Sequence, residues 1–337
     1  MRLAHSDDTF LESWNRLQSP TRVAGELGMQ VRNVHERRRA LEARYGVELA
    51  VVRNTPDRYR DRIVNDAWLH QVPEHTPAHK AVFKREPVYE SKTHCYIPDV
   101  QAKPDVPLDH LEWAGKYIAE KKPDVIICAG DFGDMPSLSS YDKGKRSAEN
   151  KRYKADIEAV HYAMELLMTP IVNEPGYKPR LVMTMGNHED RITRFGDDNP
   201  AMYGVATLQD LGYEAWGWEV YPFREPVKID GISYAHYFYN HNTGKPYGGE
   251  NLHTRLKTIG FSFTMGHQQG LSIAIRDLSD GTRQRGLVAG SFYQHEEHYK
   301  GPQGNGHWHG IIFKHEVRDG NYDLMEVSLE YLRKKYA

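Results

Sequence analysis

Five short apolar runs in this 337-residue chain each stop on a side chain able to bind a metal ion. His94-Cys95-Tyr96-Ile97 leads into Asp99, Val125-Ile126-Ile127-Cys128-Ala129 into Asp131, and Leu181-Val182-Met183-Thr184-Met185 into Asn187. Ile232-Ser233-Tyr234-Ala235 delivers His236, and Phe261-Ser262-Phe263-Thr264-Met265 delivers His267. Runs of this length, bounded by Gly, Pro or polar residues, read as buried strands. Between the first two, Leu108 to Lys122 carries apolar residues at 108, 111, 114, 117 and 118, which is helical spacing. This is a strand, helix, strand unit whose polar residues fall at the carboxyl ends of strands, where open α/β sheets build their sites. One Gly-Asp after an apolar run is an ordinary turn. Five such ends in one chain point to an α/β sheet with a chemically equipped rim.

The ends also follow an order: Asp99-Val100-Gln101, Gly130-Asp131-Phe132-Gly133-Asp134, Gly186-Asn187-His188-Glu189, His236, then Gly266-His267-Gln268-Gln269. That order resembles the calcineurin-like metallophosphoesterases, whose pattern runs D-x-H, G-D-x-x-D, G-N-H-[D/E], H, G-H-x-H. Here both D-x-H and G-H-x-H end in glutamine. In that family the two replaced histidines serve one metal position, so both changes fall on a single site. The resemblance implies a two-sheet β-sandwich flanked by helices, in four layers α/β/β/α. It implies Asp131 as a carboxylate bridging two metals, Asn187, His236 and His267 at one position, and Asp99, Gln101 and Gln269 at the other. The implied chemistry is hydrolysis of phosphate esters by metal-activated water. His188 would be the proton donor to the leaving oxygen or a stabiliser of the phosphoryl charge, Asp134 would orient it, and Arg191 is a candidate to hold a phosphate oxygen.

The expected cofactor is one or two divalent ions. A glutamine amide oxygen is a neutral, hard donor, whereas imidazole is the stronger ligand for borderline metals. Mn²⁺ is therefore expected ahead of Mg²⁺, Zn²⁺ or Fe²⁺. A literal G-H-x-H, Gly306-His307-Trp308-His309, follows a loop-like stretch over residues 300–305 in place of a strand. Gly266-His267 is preferred for that reason, with His307 and His309 as the rival pair.

With 39% hydrophobic and 27% charged residues the composition is that of a soluble protein. No apolar run approaches a membrane span and the first residues lack a signal-peptide core, so the expectation is a cytoplasmic protein without a membrane partner. Cys95 and Cys128 both fall inside strand-like runs, which gives core residues and no disulfide framework. The formal net charge of -2 hides an asymmetry: residues 1–62 hold 12 arginines and no lysine against 9 acidic residues.

In that arginine-rich stretch Phe10 to Leu17, Thr21 to Leu27 and Gln30 to Tyr45 read as three helices, broken between the last two at Gly28-Met29. Ala24, Gly28 and Val34 sit at the spacing of a helix-turn-helix, although Arg37 occupies a position that is usually apolar. Arg32, Asn33, Arg37 and Arg39 are the third-helix side chains expected to meet DNA. The competing reading is a helical cap whose arginines pair with Glu36 and Glu42. The expected organisation is a small all-α helix-turn-helix domain over residues 1–52, a linker over 53–90 and the catalytic domain over 91–337. The linker is rich in proline, charge and histidine, with one short helix near Asp61 to Leu69; its His70, His75 and His79 lack a ligand spacing. After residue 285 three strand-like pieces, Gly286 to Phe292, Gly310 to Val317 and Tyr322 to Leu329, are expected to complete the second sheet. A helix-turn-helix joined to a calcineurin-like domain resembles proteins encoded by tailed bacteriophages. The function expected is a nuclease or DNA end-processing phosphatase. The alternatives are a phosphatase or phosphodiesterase on nucleotides or phosphoproteins, and a DNA-binding regulator with a degenerate phosphoesterase domain. Monoester or diester specificity and the oligomeric state stay open.

Overall fold

A computed structural model of the protein describes residues 5–50, 91–297 and 304–337. The helix expected near Asp61 and the histidines His70, His75 and His79 lie outside the described residues. The chain divides into two compact units, Met1–Val88 and Tyr89–Ala337.

The described residues of the first unit form three helices, α1 (Asp7–Leu17), α2 (Pro20–Leu27) and α3 (Val31–Tyr45). The Ser6 side chain accepts from the Thr9 amide to cap α1, and Pro20 opens α2, where its missing N–H is no loss. Gly28 ends α2 in the left-handed region at φ +60, which a glycine adopts without a Cβ clash. Phe10, Trp14, Val23, Leu27, Val34 and Leu41 form the core between the helices. Arg37 departs from the expectation that it faces DNA. Its side chain is 9% exposed, donating to the His5 carbonyl at 2.7 Å and pairing with Asp7 at 3.0 Å. Its guanidinium lies 5.1 Å from the Phe10 ring centre. An arginine standing at an inward-facing position of α3 is held by internal acceptors, so it is removed from the candidate DNA contacts. Arg32, Asn33 and Arg39 are exposed.

In the second unit the strands are, in chain order, β1 (Lys92–Ile97), β2 (Val125–Cys128), β3 (Arg180–Thr184), β4 (Glu219–Tyr221), β5 (Val227–Ile229), β6 (Ile232–Tyr234), β7 (Tyr239–Asn240), β8 (Lys245–Pro246), β9 (Phe263–Met265), β10 (Leu271–Asp277), β11 (Arg283–Ala289), β12 (Gly310–Arg318) and β13 (Asn321–Ser328). The helices are α4 (His110–Lys121), α5 (Tyr153–Val172), α6 (Asp190–Asp198), α7 (Leu252–Ile259) and α8 (Leu329–Tyr336). One sheet runs β13-β12-β1-β2-β3-β4 and the other β10-β11-β9-β6-β5, with β7 and β8 as a separate ribbon. β1 to β4 are mutually parallel, as are β6, β9 and β11.

Side-chain alternation along β1 shows how the layers stack. Cys95 and Ile97 pack with Leu111, Ala114 and Ile118 of α4 and Leu167 of α5. Tyr96, between them in sequence, faces Tyr234 and Leu287 of the second sheet. Leu252 and Leu256 of α7 cover the far side of that sheet against Phe263 and Val288. The architecture is the four-layer α/β/β/α sandwich expected.

The strands after residue 285 divide differently from the expectation. β11 joins the second sheet, whereas β12 pairs antiparallel with β1 and β13 with β12, so the last two strands extend the first sheet. Gly310 to Lys314 is buried at every position. A strand covered on both faces loses the alternation that would mark its sheet. Lys314, buried between the sheets, donates to Tyr234 Oη at 3.2 Å and to Thr264 Oγ1, and lies 4.5 Å from the Tyr234 ring centre. No described helix is long and apolar enough to cross a membrane.

Candidate active site

Because β1, β2 and β3 run parallel, the residues just beyond them gather on one rim: Asp99 and Gln101 after β1, Asp131 after β2, Asn187 and His188 after β3. The second sheet contributes His236 just beyond β6 and His267 just beyond β9, also parallel neighbours. Backbone bonds tie the loops together. The Val100 and Gln101 amides donate to the Asp131 carbonyl at 3.1 and 2.8 Å, Phe292 donates to the Asp99 carbonyl at 2.8 Å, and Gly266 to the His236 carbonyl at 3.1 Å. Gln101, Asp131, His267 and Gln269 all adopt left-handed backbone, with φ of 51, 49, 66 and 59. Each such non-glycine residue stores about 1–3 kcal/mol, strain that collects where a site demands a particular backbone. Gly186 and Gly266 provide clearance: a Cβ on Gly186 would strike the Asp131 carboxylate, and one on Gly266 the Asp99 carboxylate.

Asp99 is fully buried and accepts from the His267 amide at 3.0 and 3.1 Å. Burial pushes its carboxyl up to about 6. Asp131 accepts from the His188 amide at 2.9 Å. Burial would raise Asp131 as well, but the His188 and His236 imidazoles outweigh it and hold that carboxyl well below its usual range. His236 Nδ1 lies 3.0 Å from the Ala129 carbonyl, which can only accept, so Nδ1 carries a proton. Its Nε2 then faces Asn187 Oδ1 at 2.9 Å and Asp131 Oδ2 at 3.3 Å. Three atoms with lone pairs thus converge, and they need a cation or a proton between them. Burial alone would lower the His236 imidazole; Asp131 beside it prevails and raises it to about 9.

His267 completes this set. One ligand atom from each of Asp131, His236 and His267 falls within 4.8 Å of the others. The His267 residue is exposed overall, yet its ring packs 4.7 Å from the ring centre of Tyr237 and 5.1 Å from that of His236. Burial, with His236 alongside, lowers it to about 4, leaving a neutral imidazole with a lone pair to give. The donor set, two imidazoles, an amide oxygen and buried carboxylates, fits a divalent ion, which would take the place of the proton on His236 Nε2.

Glu189 is the functional residue that sequence reasoning passed over. It is fully buried and accepts from the amides of Asp131 at 2.9 Å, Phe132 at 2.7 Å, Gly133 at 3.2 Å and Gly186 at 2.9 Å. One carboxylate thereby fixes both the loop after β2 and the loop after β3. The only signal in the sequence was an acid closing Gly186-Asn187-His188-Glu189 just beyond a strand; once buried beside glycines, such a carboxylate must satisfy backbone amides. Glu189→Gln puts an NH₂ group where amides donate, and is expected to lower stability by about 1.5–3 kcal/mol, the range for a hydrogen bond to a charged group. Urea denaturation measures this, and an unchanged midpoint would remove Glu189 from its anchoring role.

His188 lies 2.8 Å from Asp134 through Nδ1 and 3.1 Å from Arg191 Nη2 through Nε2. Burial opposes its protonation, but Asp131 and Asp134 prevail and raise its pKa. Arg191 is mainly an internal strut, donating from Nη1 to the Asp134 carbonyl at 2.6 Å and to Asp134 Oδ1 at 3.3 Å. Gln101 is buried, and Gln269 accepts from Tyr293 Oη at 3.0 Å. His307 and His309, the rival pair, stand side by side with ring centres 4.4 Å apart. They meet Ser291 Oγ at 2.9 and 3.1 Å, and His307 also meets Tyr293 Oη at 3.2 Å. They lie outside the cluster that Asp131 forms with His236 and His267, with Tyr293 Oη between His307 and Gln269.

A cavity of about 390 Å³ lies against Gln101, Asp131, Asn187, His188, Gln269 and His307. A larger one of about 590 Å³, between Arg255, Leu252 and Ser272, reaches the rim only through His267 and Gln268. The smaller cavity holds the converging carboxylate, amide and imidazole groups, and it is there that a phosphate ester can meet them. Comparison with the curated proteins finds no match. Residues 94–311 match the model of the calcineurin-like phosphoesterases, a span that includes every strand end on this rim, and the chain belongs to that family of metal-dependent phosphate ester hydrolases.

Proposed function

We propose that the phosphate esters hydrolysed by this enzyme lie in nucleic acid, making it a nuclease or an end-processing phosphatase delivered to DNA by its N-terminal helices. One observation carries the reading. α3 buries Val34 and Leu41 and exposes Arg32, Asn33 and Arg39, after a short break at Gly28. A helix with that polarity, following a tight turn, supports a helix-turn-helix whose third helix enters the major groove. On this reading residues 1–52 form the DNA-binding domain, 53–90 the linker and 91–337 the catalytic domain, a combination of the phage type.

At the site Asp131, Asn187, His236 and His267 would hold one divalent ion, and Asp99, Gln101 and Gln269 a second that shares Asp131. Mn²⁺ suits the two amide oxygens. Bound ions supply Lewis acidity at the phosphoryl oxygens and make water nucleophilic at neutral pH. The chain's own contribution is positioning and proton movement. Asp134 holds the His188 ring through Nδ1, leaving Nε2 to exchange a proton at the cavity wall. Arg191, which has donors only, faces the lone pair of Nε2 at 3.1 Å, and its charge opposes the two aspartates that favour protonation of the ring.

The double variant Arg32→Ala, Arg39→Ala tests the DNA reading in the full chain. Its affinity for labelled duplex should fall, and the slope of log K against log salt should flatten by about one unit for each phosphate that an arginine no longer neutralises. Equal affinity with an equal slope would show that these helices do something else.

A further inference from the structure

A third pocket opens from the rim on the side of Asn187 and His267. It has a volume of about 270 Å³ and is lined by the rings of Tyr141, Phe223 and Tyr237 and the guanidinium groups of Arg191, Arg194 and Arg224, with Asp190 as the acidic residue in its wall. The rings form a continuous path outward from His267. Tyr237 lies 4.7 Å from His267, Phe223 and Tyr239 each lie 5.3 Å from Tyr237, and the Arg224 guanidinium stands 5.1 Å from Phe223 and 5.4 Å from Tyr239. Tyr237 and Tyr239 are only half-buried, so faces of the path are open to a ligand.

The charges are placed differently from those of the catalytic cavity. Arg191 is engaged with Asp134 and His188, but Arg194 and Arg224 can turn to a ligand. Arg194 pairs with Asp190 at 3.3 Å and donates to the Asn187 carbonyl at 3.0 Å; its side chain is half exposed, and contacts made by a cation so open to solvent are worth little and yield to a phosphate. Arg224 is exposed and sits on left-handed backbone at φ 78. The volume falls below the roughly 300–1,000 Å³ of pockets that enclose a drug-sized molecule, which suits a single ring system. Aromatic faces with flanking arginines are the means by which proteins hold single-stranded nucleic acid irrespective of sequence.

We propose that this pocket is a nucleotide subsite. The base next to the scissile phosphate stacks against Tyr237 and Phe223, and the following phosphate meets Arg194 and Arg224. A strand held this way leaves the duplex at the catalytic rim, so the subsite selects unpaired or frayed ends over paired interior positions. The inference rests on the nucleic-acid reading of the catalytic site.

The test uses the full chain with Mn²⁺ and two esters with the same leaving group, thymidine 5′-(p-nitrophenyl) phosphate and methyl p-nitrophenyl phosphate. The wild type should prefer the thymidine ester in kcat/KM, and its 3′-phosphorylated form, which supplies the following phosphate, further still; Phe223→Leu should reduce the first preference and Arg224→Ala the second, each about tenfold, as removal of one stacking or phosphate interaction does. Preferences unaltered in both variants overturn the subsite. Binding keeps the question open should the variants misfold: calorimetry on wild type should find thymidine 5′-monophosphate bound at least tenfold more tightly than inorganic phosphate, and equal affinities overturn the proposal. Tighter binding of O-phosphotyrosine than of the nucleotide would also overturn it, in favour of an aromatic alcohol. Failure of the subsite alone leaves cleavage of labelled single-stranded DNA by the wild type intact. Failure of the nucleic-acid reading abolishes it.

Discussion

Asp131→Asn is expected to abolish hydrolysis of bis-(p-nitrophenyl) phosphate and to strip bound metal while the fold survives. The substitution keeps the shape and an oxygen able to accept from the His188 amide, now 2.9 Å away. It removes the charge that raises His236 to about 9 and draws ligand atoms of His236 and His267 to within 4.8 Å of its own. An amide supplies no charge to offset a bound cation, so metal and turnover should be lost together. Elemental analysis after loading with Mn²⁺, alongside circular dichroism, checks both halves. A variant that retains full activity would sink the account of this rim.

His188→Ala should behave differently, with metal content near that of the wild type and a rate lower by about 10²–10⁴-fold, the range for a lost general acid. The difference follows from its contacts. The ring stands against Asp134 and Arg191, and its Nε2 lies 3.7 Å from Asp131 Oδ2, against 3.3 Å for His236 Nε2. If metal is lost with the imidazole, His188 belongs to the ligand set and its role as proton donor is wrong. The readouts separate the two residues: Asp131 governs stoichiometry, His188 governs rate at constant stoichiometry.

The sequence made the rim legible because each of its members follows a buried strand, and short apolar runs with polar stops survive as a local pattern. β1, β2, β3, β6 and β9 all lie within or beside the runs that precede Asp99, Asp131, Asn187, His236 and His267. α4 fell within Leu108 to Lys122 for the same reason, since its buried Leu111, Ala114 and Ile118 keep helical spacing. What stayed hidden depends on partners distant in the chain. The placement of β12 beside β1 is decided by pairing between residues far apart in the chain, and no local period encodes it. Glu189 acts through amides more than 50 residues earlier, where the motif showed only an acid after a histidine. The inward turn of Arg37 is set by Asp7 and the His5 carbonyl on the far side of the helical unit. The aromatic path from His267 to Arg224 joins loops that carry no shared motif.

The insertion of β12 between β13 and β1 also bears on how the protein is made. About 210 residues separate Ile97 from Gly310, so at roughly 5–20 residues per second a ribosome needs about 10–40 s to supply the strand that β1 must pair with. Throughout that interval the free side of Lys92–Ile97 is an open edge, the template on which nascent chains pair with the wrong neighbour. A chain halted anywhere between His267 and Gly310 would already contain Asp99, Asp131, Asn187, His236 and His267, yet its first sheet would lack the two strands that close it beyond β1. These five side chains are thus translated well before they are put to use, and the later pairing of β12 and β13 decides whether the hydrolase has a floor on which to stand.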